Sequence, residues 1–292
     1  MNIREAGNYF IEQCSSLYDK SESEEIFFRV AEHLTSKTKA ELTINKHLSV
    51  DKDRLDPIIL KLKTNKPIQY ILGYEWFYNC KIAVNEQVLI PRPETEELVR
   101  WILQILKIQE MTTPEILDIG TGSGCIPVIL KKEYKQANMT AIDISEGALQ
   151  VAMKNSSQYK LDIQFLKMDI LKPEFPTGKI FDIIVSNPPY ITQAEKNEMH
   201  ERVLSFEPTE ALFVTNDDPL QFYKAILFFA EKHLATEGMV FLELNSLYGQ
   251  DVEQLFDQAG FETDLRKDMY GNTRMLMATK KKPADLFQQA SK

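Results

Sequence analysis

The chain has 292 residues, 43% apolar and 26% charged, which suits one large globular domain or two ordinary ones. Its 34 basic and 43 acidic residues leave a net charge of -9, opposite to the positive excess that bulk binding to nucleic acid or an anionic membrane requires. No apolar run approaches a membrane span, the N-terminus lacks the apolar core of a secretory signal, and Cys14, Cys80 and Cys125 lack metal or redox spacing, so a reduced cytoplasmic protein is expected.

Residues 1–66 read as helices. Phe10, Ile11, Cys14, Leu17 and Tyr18 share one stripe, Phe27, Val30, Ala31 and Leu34 repeat it, and Leu55, Ile58, Ile59 and Leu62 repeat it again. Ser23, beside Glu24 and Glu25, is expected to start one helix, and Asn45 or Ser49 to cap another. Short loops between such helices predict a compact bundle. His33 and His47 stand alone there and read as surface or packing residues. Residues 67–93 turn to Tyr, Phe, Ile and Val, with Gly73 and Asn85 as breakers, and predict extended segments with a hairpin around 85–87. The charge steps near the same place. Residues 1–84 carry 12 basic and 12 acidic side chains, and the remainder carries 22 and 31.

From Glu115 onward strands alternate with helices. Strands are expected at 116–118, 139–144, 163–168, 180–186 and 239–244, and helices at 125–134, 146–155, 220–233 and 250–258. Such alternation predicts a mostly parallel sheet covered on both faces. Two last strands, 261–267 and 274–279, are joined only by a short turn at Gly271 and must pair antiparallel.

The first strand runs into Gly120, Thr121, Gly122, Ser123 and Gly124 and then into a helix. Glycine lets the backbone turn sharply and lets a ligand approach closely. The spacing is GxGxG, with Cys125 where a dinucleotide fingerprint has its third glycine, and no GK[ST] ending follows. Asp118 precedes the turn, Asp143 ends the second strand and Asp169 follows the third. A carboxylate at Asp143 can accept two ribose hydroxyls, and Asp169 can accept from an adenine amino group. Three acids at successive strand ends suit a cationic cofactor without phosphates, as S-adenosylmethionine is.

The fourth strand runs into Asn187-Pro188-Pro189-Tyr190. The prolines stiffen the loop and keep Asn187 out of helical geometry. An amide NH2 is a weak nucleophile because its lone pair is delocalised. Asn187 Oδ1 and the Pro188 carbonyl can hold both its N–H groups and aim the nitrogen, while Tyr190 can stack on the planar group. No strong base is needed for such a transfer, and neither His200 nor His233 lies in a motif that would supply one.

At these residues the chain resembles the amino methyltransferases that carry an NPPY motif. More closely it resembles the HemK/PrmC-type release factor glutamine methyltransferases. Pro67, Gln69, Tyr70 and Gly73 carry that match, as do residues 88–99 (VLIPRPETEELV), residues 206–212 (FEPTEAL), and Asp268, Gly271 and Arg274. The resemblance implies an α/β fold: a seven-stranded, Rossmann-like S-adenosylmethionine-dependent methyltransferase sheet with an antiparallel last strand, preceded by a small helical bundle. The expected layout is a helical substrate-recognition domain over 1–75, a β-hairpin linker over 76–93, a methyltransferase domain over 94–282 and a frayed tail over 283–292. It implies S-adenosylmethionine on Gly120, Thr121, Gly122, Ser123, Gly124, Asp143, Asp169, Ile170 and Asn187, no metal, and a peptide chain release factor as protein substrate. Asn187, Pro188, Pro189 and Tyr190 would hold the glutamine of its Gly-Gly-Gln loop, with Asn187, Pro188 and Tyr190 catalytic. Many relatives carry an aromatic where this chain has Ile170. The chain also reads Glu243-Leu244-Asn245 where Glu-hydrophobic-Gly is commoner, and no role is assigned to Asn245. Arg92 and Glu94 are expected near the cofactor edge, with Thr95 and Glu96 beginning a helix.

The same loop chemistry would serve a nucleic-acid amino methyltransferase, but that activity needs a basic groove and a target-recognition domain. A non-catalytic protein that binds the cofactor or a release factor is the other alternative. A monomer with no nucleic-acid or membrane partner is expected.

Overall fold

The computed structural model describes residues 1–45, 47–172, 178–192, 194–198, 201–215 and 217–280. The expected tail over 283–292 and His200 lie outside the described residues.

The chain begins with α1 (Ile3–Cys14), α2 (Lys20–Thr35), α3 (Lys39–Ile44), α4 (Lys52–Leu62) and α5 (Ile68–Leu72). The starts of the first four are set by side chains accepting backbone N–H groups: Asn2 and Thr38 in capping boxes with Glu5 and Glu41, and Asp19 and Asp51 alone. The helix start expected at Ser23 thus moves to Asp19. Ser23 lies buried within α2, because the Asp19 carboxylate accepts the Glu22 N–H one turn earlier. The cap expected at Asn45 or Ser49 is Asp51, while Asn45 ends α3 and Ser49 bridges to Asn2. The apolar stripes meet in one core around Phe10, Phe27, Val30, Leu55 and Leu62. Gly7 lets α1 approach α2 closely there: a Cβ would lie 3.2 Å from the Phe27 ring, which would have to shift by a few tenths of an ångström.

Next come β1 (Tyr74–Phe77) and β2 (Cys80–Ala83), which pair in a two-stranded sheet. Their turn is Tyr78-Asn79, with φ of +50° and +59°, the double left-handed step of a tight two-residue hairpin. The hairpin expected at 85–87 is therefore displaced. There the Asn85 side chain accepts the Gln87 N–H at 3.0 Å and closes a turn with no second strand after it.

The rest of the chain runs α6 (Pro93–Ile108), β3 (Glu115–Ile119), α7 (Cys125–Glu133), β4 (Asn138–Asp143), α8 (Glu146–Gln158), β5 (Ile163–Lys167), β6 (Phe181–Ser186), β7 (Ile191–Thr192), α9 (Glu201–Phe206), α10 (Thr209–Leu212), β8 (Phe213–Val214), α11 (Gln221–His233), β9 (Leu234–Glu243), α12 (Gly249–Gln258), β10 (Phe261–Lys267) and β11 (Thr273–Lys280). Seven strands form one sheet in the order β10-β11-β9-β6-β3-β4-β5. The five from β9 to β5 are parallel, and β11 pairs antiparallel with both β9 and β10. This is the expected α/β fold with its antiparallel end. Alternate strand residues feed two cores. Ile116, Met139, Ile183 and Phe241 pack with α6 and α7, and Leu117, Ile142, Ile184 and Val240 pack with α11 and α12. Strand order reverses beside β3, with β4 on one side and β6 on the other. In open α/β sheets that crevice, at the carboxyl ends of the strands, is where ligands bind.

By contacts the chain forms two units. Among the described residues, one comprises residues 1–74 with 201–206, which brings α9 to the N-terminal helices, and the other comprises residues 75–198 with 207–280. Within the first unit Arg202 of α9 lies over the Tyr18 ring at 4.2 Å and donates to the Leu17 carbonyl at 3.3 Å.

Candidate active site

The site forms where β3, β4 and β6 end. The Gly120 and Thr121 N–H groups both donate to the Ile142 carbonyl, at 2.9 and 3.0 Å, which ties the turn after β3 to the end of β4. Gly120, Gly122 and Gly124 have φ of +72°, +54° and +76°, a region that side-chain-bearing residues avoid. Their surroundings differ. A Cβ on Gly120 or Gly122 would meet open space, whereas one on Gly124 would lie 2.9 Å from the Ala152 Cβ. The first two glycines leave room beside the backbone, and the third lets α7 pack on α8.

Asp143 is held from two sides. Its Oδ2 accepts the Gly122 N–H at 2.8 Å and its Oδ1 the Ser145 N–H at 2.9 Å. Burial raises its carboxyl above the ordinary range, and those N–H groups pull it back. Each oxygen keeps a lone pair for a further donor. Asp169 lies beyond β5, accepts the Leu171 N–H at 2.9 Å, and precedes buried Ile170. Asp118 is different. It is fully buried, neither carboxylate oxygen makes a hydrogen bond of normal geometry among the described residues, and burial pushes its carboxyl up to about 7, with the nearby Thr121 side chain opposing and the Asp143 charge adding to the rise.

A cavity of about 800 Å³ runs across this edge, within the size range of small-molecule sites. Gly120, Thr121, Gly122, Ser123, Asp143, Asp169 and Ile170 line one part of it, and Asn187, Pro188 and Pro189 line another. Gly124 and Tyr190 are not among its lining residues. Tyr190 packs against the core of α11 and α12 and donates its hydroxyl to Glu243 Oε1 at 3.2 Å. Burial holds that phenol well above its ordinary range. Arg92 also lines the cavity and pairs with the buried carboxylate of Glu207 at 2.6 Å, while Glu207 accepts the Ile90 N–H at 3.2 Å. The FEPTEAL segment is therefore fastened to the PRPE turn. Glu94 does not line the cavity.

Behind the NPPY loop lies a buried polar cluster. Thr95 donates to Glu243 Oε2 at 2.7 Å, and the Asn187 side-chain NH2 donates to Thr95 Oγ1 at 3.2 Å. Asn245 donates to the Tyr190 carbonyl at 3.0 Å. Arg274 donates to the Leu244 carbonyl at 2.9 Å and pairs with Asp268, which accepts two N–H groups of its own turn. Thr95, Glu207, Glu243 and Asn245 are not among the expected site residues. Thr95 and Glu207 do lie in the PRPETE and FEPTEAL segments that carry the resemblance, and Glu243 is a lone acid closing the apolar run 239–242. Burial pushes the Cys125 thiol up to about 12, which removes it as a nucleophile near neutral pH. No metal-ligating group of His, Cys, Asp and Glu occurs among the described residues, nor does any of their helices have the length and apolarity to cross a membrane.

The family model for the methyltransferase small domain matches residues 99–212. A release factor glutamine methyltransferase of Flavobacterium psychrophilum is 42% identical over 281 residues, 94% of this chain and 98% of that protein. One from Bacteroides thetaiotaomicron is 42% identical over 80% of this chain and 83% of its own. Among solved structures, a methyltransferase of Pyrococcus furiosus aligns with a TM-score of 0.50 at 19% identity, over 78% of this chain and 98% of that one, and shares its fold.

Proposed function

Because this chain belongs to the release factor glutamine methyltransferase family, we infer that it transfers a methyl group from S-adenosylmethionine to the side-chain amide nitrogen of the glutamine in the Gly-Gly-Gln loop of peptide chain release factors. The observation that carries the reading is one cavity lined by both the glycine turn with Asp143 and the Asn187-Pro188-Pro189 loop.

The residues present fit the cofactor. Gly120 and Gly122 leave open space where a Cβ would stand, and Asp143 is pinned with lone pairs to spare. S-adenosylmethionine supplies an activated methyl group whose transfer leaves a neutral thioether. Asp143 would accept the ribose hydroxyls, Asp169 and Ile170 would flank the adenine, and the glycine turn would take the amino-acid portion. Asn187 Oδ1 and the Pro188 carbonyl accept the two N–H groups of the substrate amide and aim its nitrogen. The nitrogen gains the methyl carbon and then loses one proton to solvent, so no general base is required. Tyr190 fixes the loop through Glu243 and the Asn245 bond to its carbonyl, and Pro189 stiffens it. The protein works without a metal, as a cytoplasmic monomer whose helical unit helps recognise the release factor.

Incubation with methyl-labelled S-adenosylmethionine and a release factor tests this. Label should map to the loop glutamine and be absent from a Gln→Ala factor. Asn187→Ala should lower turnover at least a hundredfold while cofactor affinity stays within a few-fold. Label on RNA or DNA instead, or none on the wild-type factor, would contradict the reading.

A further inference from the structure

The cluster behind the loop contains more than packing requires. Glu243 ends β9 at 1% exposure, and its carboxylate receives the Thr95 and Tyr190 hydroxyls. Thr95 sits in the first turn of α6. Its hydroxyl does not bond back into that helix but reaches across 148 residues of sequence to Glu243.

The direction of these bonds follows from what each group can do. Burial raises the Glu243 carboxyl, while the Thr95 hydroxyl, the Arg274 charge and the Tyr190 hydroxyl each favour its ionised form. An ionised carboxylate only accepts, and a threonine hydroxyl has one proton. At 2.7 Å from Glu243 Oε2, that proton is committed to the carboxylate. The side of Thr95 Oγ1 facing Asn187, 3.2 Å away, is then a lone pair, and only a donor satisfies it. Asn187 must therefore turn its NH2 to Thr95, which leaves Oδ1 as the end free to accept. No donor among the described residues occupies that Oδ1.

We propose that Glu243 and Thr95 are positioning residues that set the polarity of the Asn187 amide, so that its oxygen, not its NH2, meets the substrate nitrogen. This rests on the function proposed above. With the amide reversed, its NH2 would face the N–H groups of the substrate, donor against donor, and the nitrogen would lose its aim. Neither residue need touch the reacting atoms. Glu243 fixes the proton of Thr95, Thr95 fixes the amide, and the amide fixes the substrate.

Thr95→Val keeps the shape and removes the hydroxyl, while Thr95→Ser keeps the hydroxyl and removes the methyl. The proposal expects Thr95→Val to lower kcat for release factor methylation at least tenfold, with the Kd for S-adenosylmethionine within twofold of wild type. Thr95→Ser should recover to within threefold of wild type. A purely structural role for Thr95 predicts the reverse order, because Ser loses the packed methyl. Unchanged kcat in the Val variant, or equal loss in both, overturns the proposal.

A second readout needs no substrate. The side-chain NH2 resonances of Asn187, assigned by their loss in Asn187→Ala, should be protected from solvent exchange in wild type and Thr95→Ser and exchange at least tenfold faster in Thr95→Val. Equal exchange in wild type and the Val variant overturns the proposal. Failure of wild-type methylation counts against the proposed function alone, and the exchange measurement still decides the polarity.

Discussion

Asp118 is fully buried with the Thr121 side chain and Asp143 near it, and the ionisation of its carboxyl has a cost that can be measured. An unfolded chain releases this proton near pH 4, whereas the folded one holds it to about 7. Between those values the native state binds more protons, so stability falls as pH rises, by at most about 1.4 kcal/mol per pH unit, and the loss is complete above the folded value. Asp118→Asn removes that dependence. Without cofactor, its melting temperature should gain on wild type between pH 5 and pH 8, and a constant difference across that range would refute the assignment. The residues of the site differ in how far a sequence reveals them. The glycine turn and Asn187-Pro188-Pro189-Tyr190 each lie within a few residues, so their spacing carries meaning. Thr95, Glu243 and Asn187 meet only because α6, β9 and β6 converge, and no local pattern joins them. The same holds for Glu207, which meets Arg92 across 115 residues.

At the level of elements, the turn after β3 divides its glycines between two tasks. Gly124→Ala combines a left-handed backbone with contact to Ala152 and should cost about 2–4 kcal/mol of stability, read as a lower melting temperature. Gly122→Ala meets no neighbour, should cost about 1–2 kcal/mol, and should instead weaken S-adenosylmethionine binding in a titration. Equal stability losses with unchanged cofactor affinity would erase that division. Periodicity made the strand and helix alternation legible, and the antiparallel end followed from the shortness of the turn around Gly271. The hairpin was misplaced because its turn, Tyr78-Asn79, contains no glycine. Asn79 is a residue type that favours the left-handed region, but Tyr78 before it is not, and Asn85 offered a competing turn signal a few residues later. Helix starts were misread for a related reason. Several Ser, Thr, Asp and Asn residues stand near each start, and only geometry selects Asp19 or Asp51 among them.

For the whole molecule, the two units have separate cores, one around Phe10 and Phe27 and the others on the two faces of the sheet. Calorimetry should therefore resolve two unfolding transitions. S-adenosylmethionine at a hundred times its Kd should stabilise only the one belonging to the sheet, by about 2.7 kcal/mol. A single transition, or equal shifts of two, would oppose this. The neutral-to-acidic charge step was visible in composition, but nothing in the pattern of 201–206 tells that this short helix groups with residues more than 120 positions earlier. That grouping bears on how the protein comes into being. Synthesis proceeds from the N-terminus, and the first five helices leave the ribosome well before α9 exists. Tyr18 and the Leu17 carbonyl must wait for Arg202 until about two-thirds of the chain has been made. The N-terminal unit is begun first on the ribosome, yet its last piece arrives only after β3, β4, β5 and β6 have been translated. A nascent chain halted before residue 200 would already hold every core residue of the first five helices and would lack the clasp of Arg202 on Tyr18 and the Leu17 carbonyl.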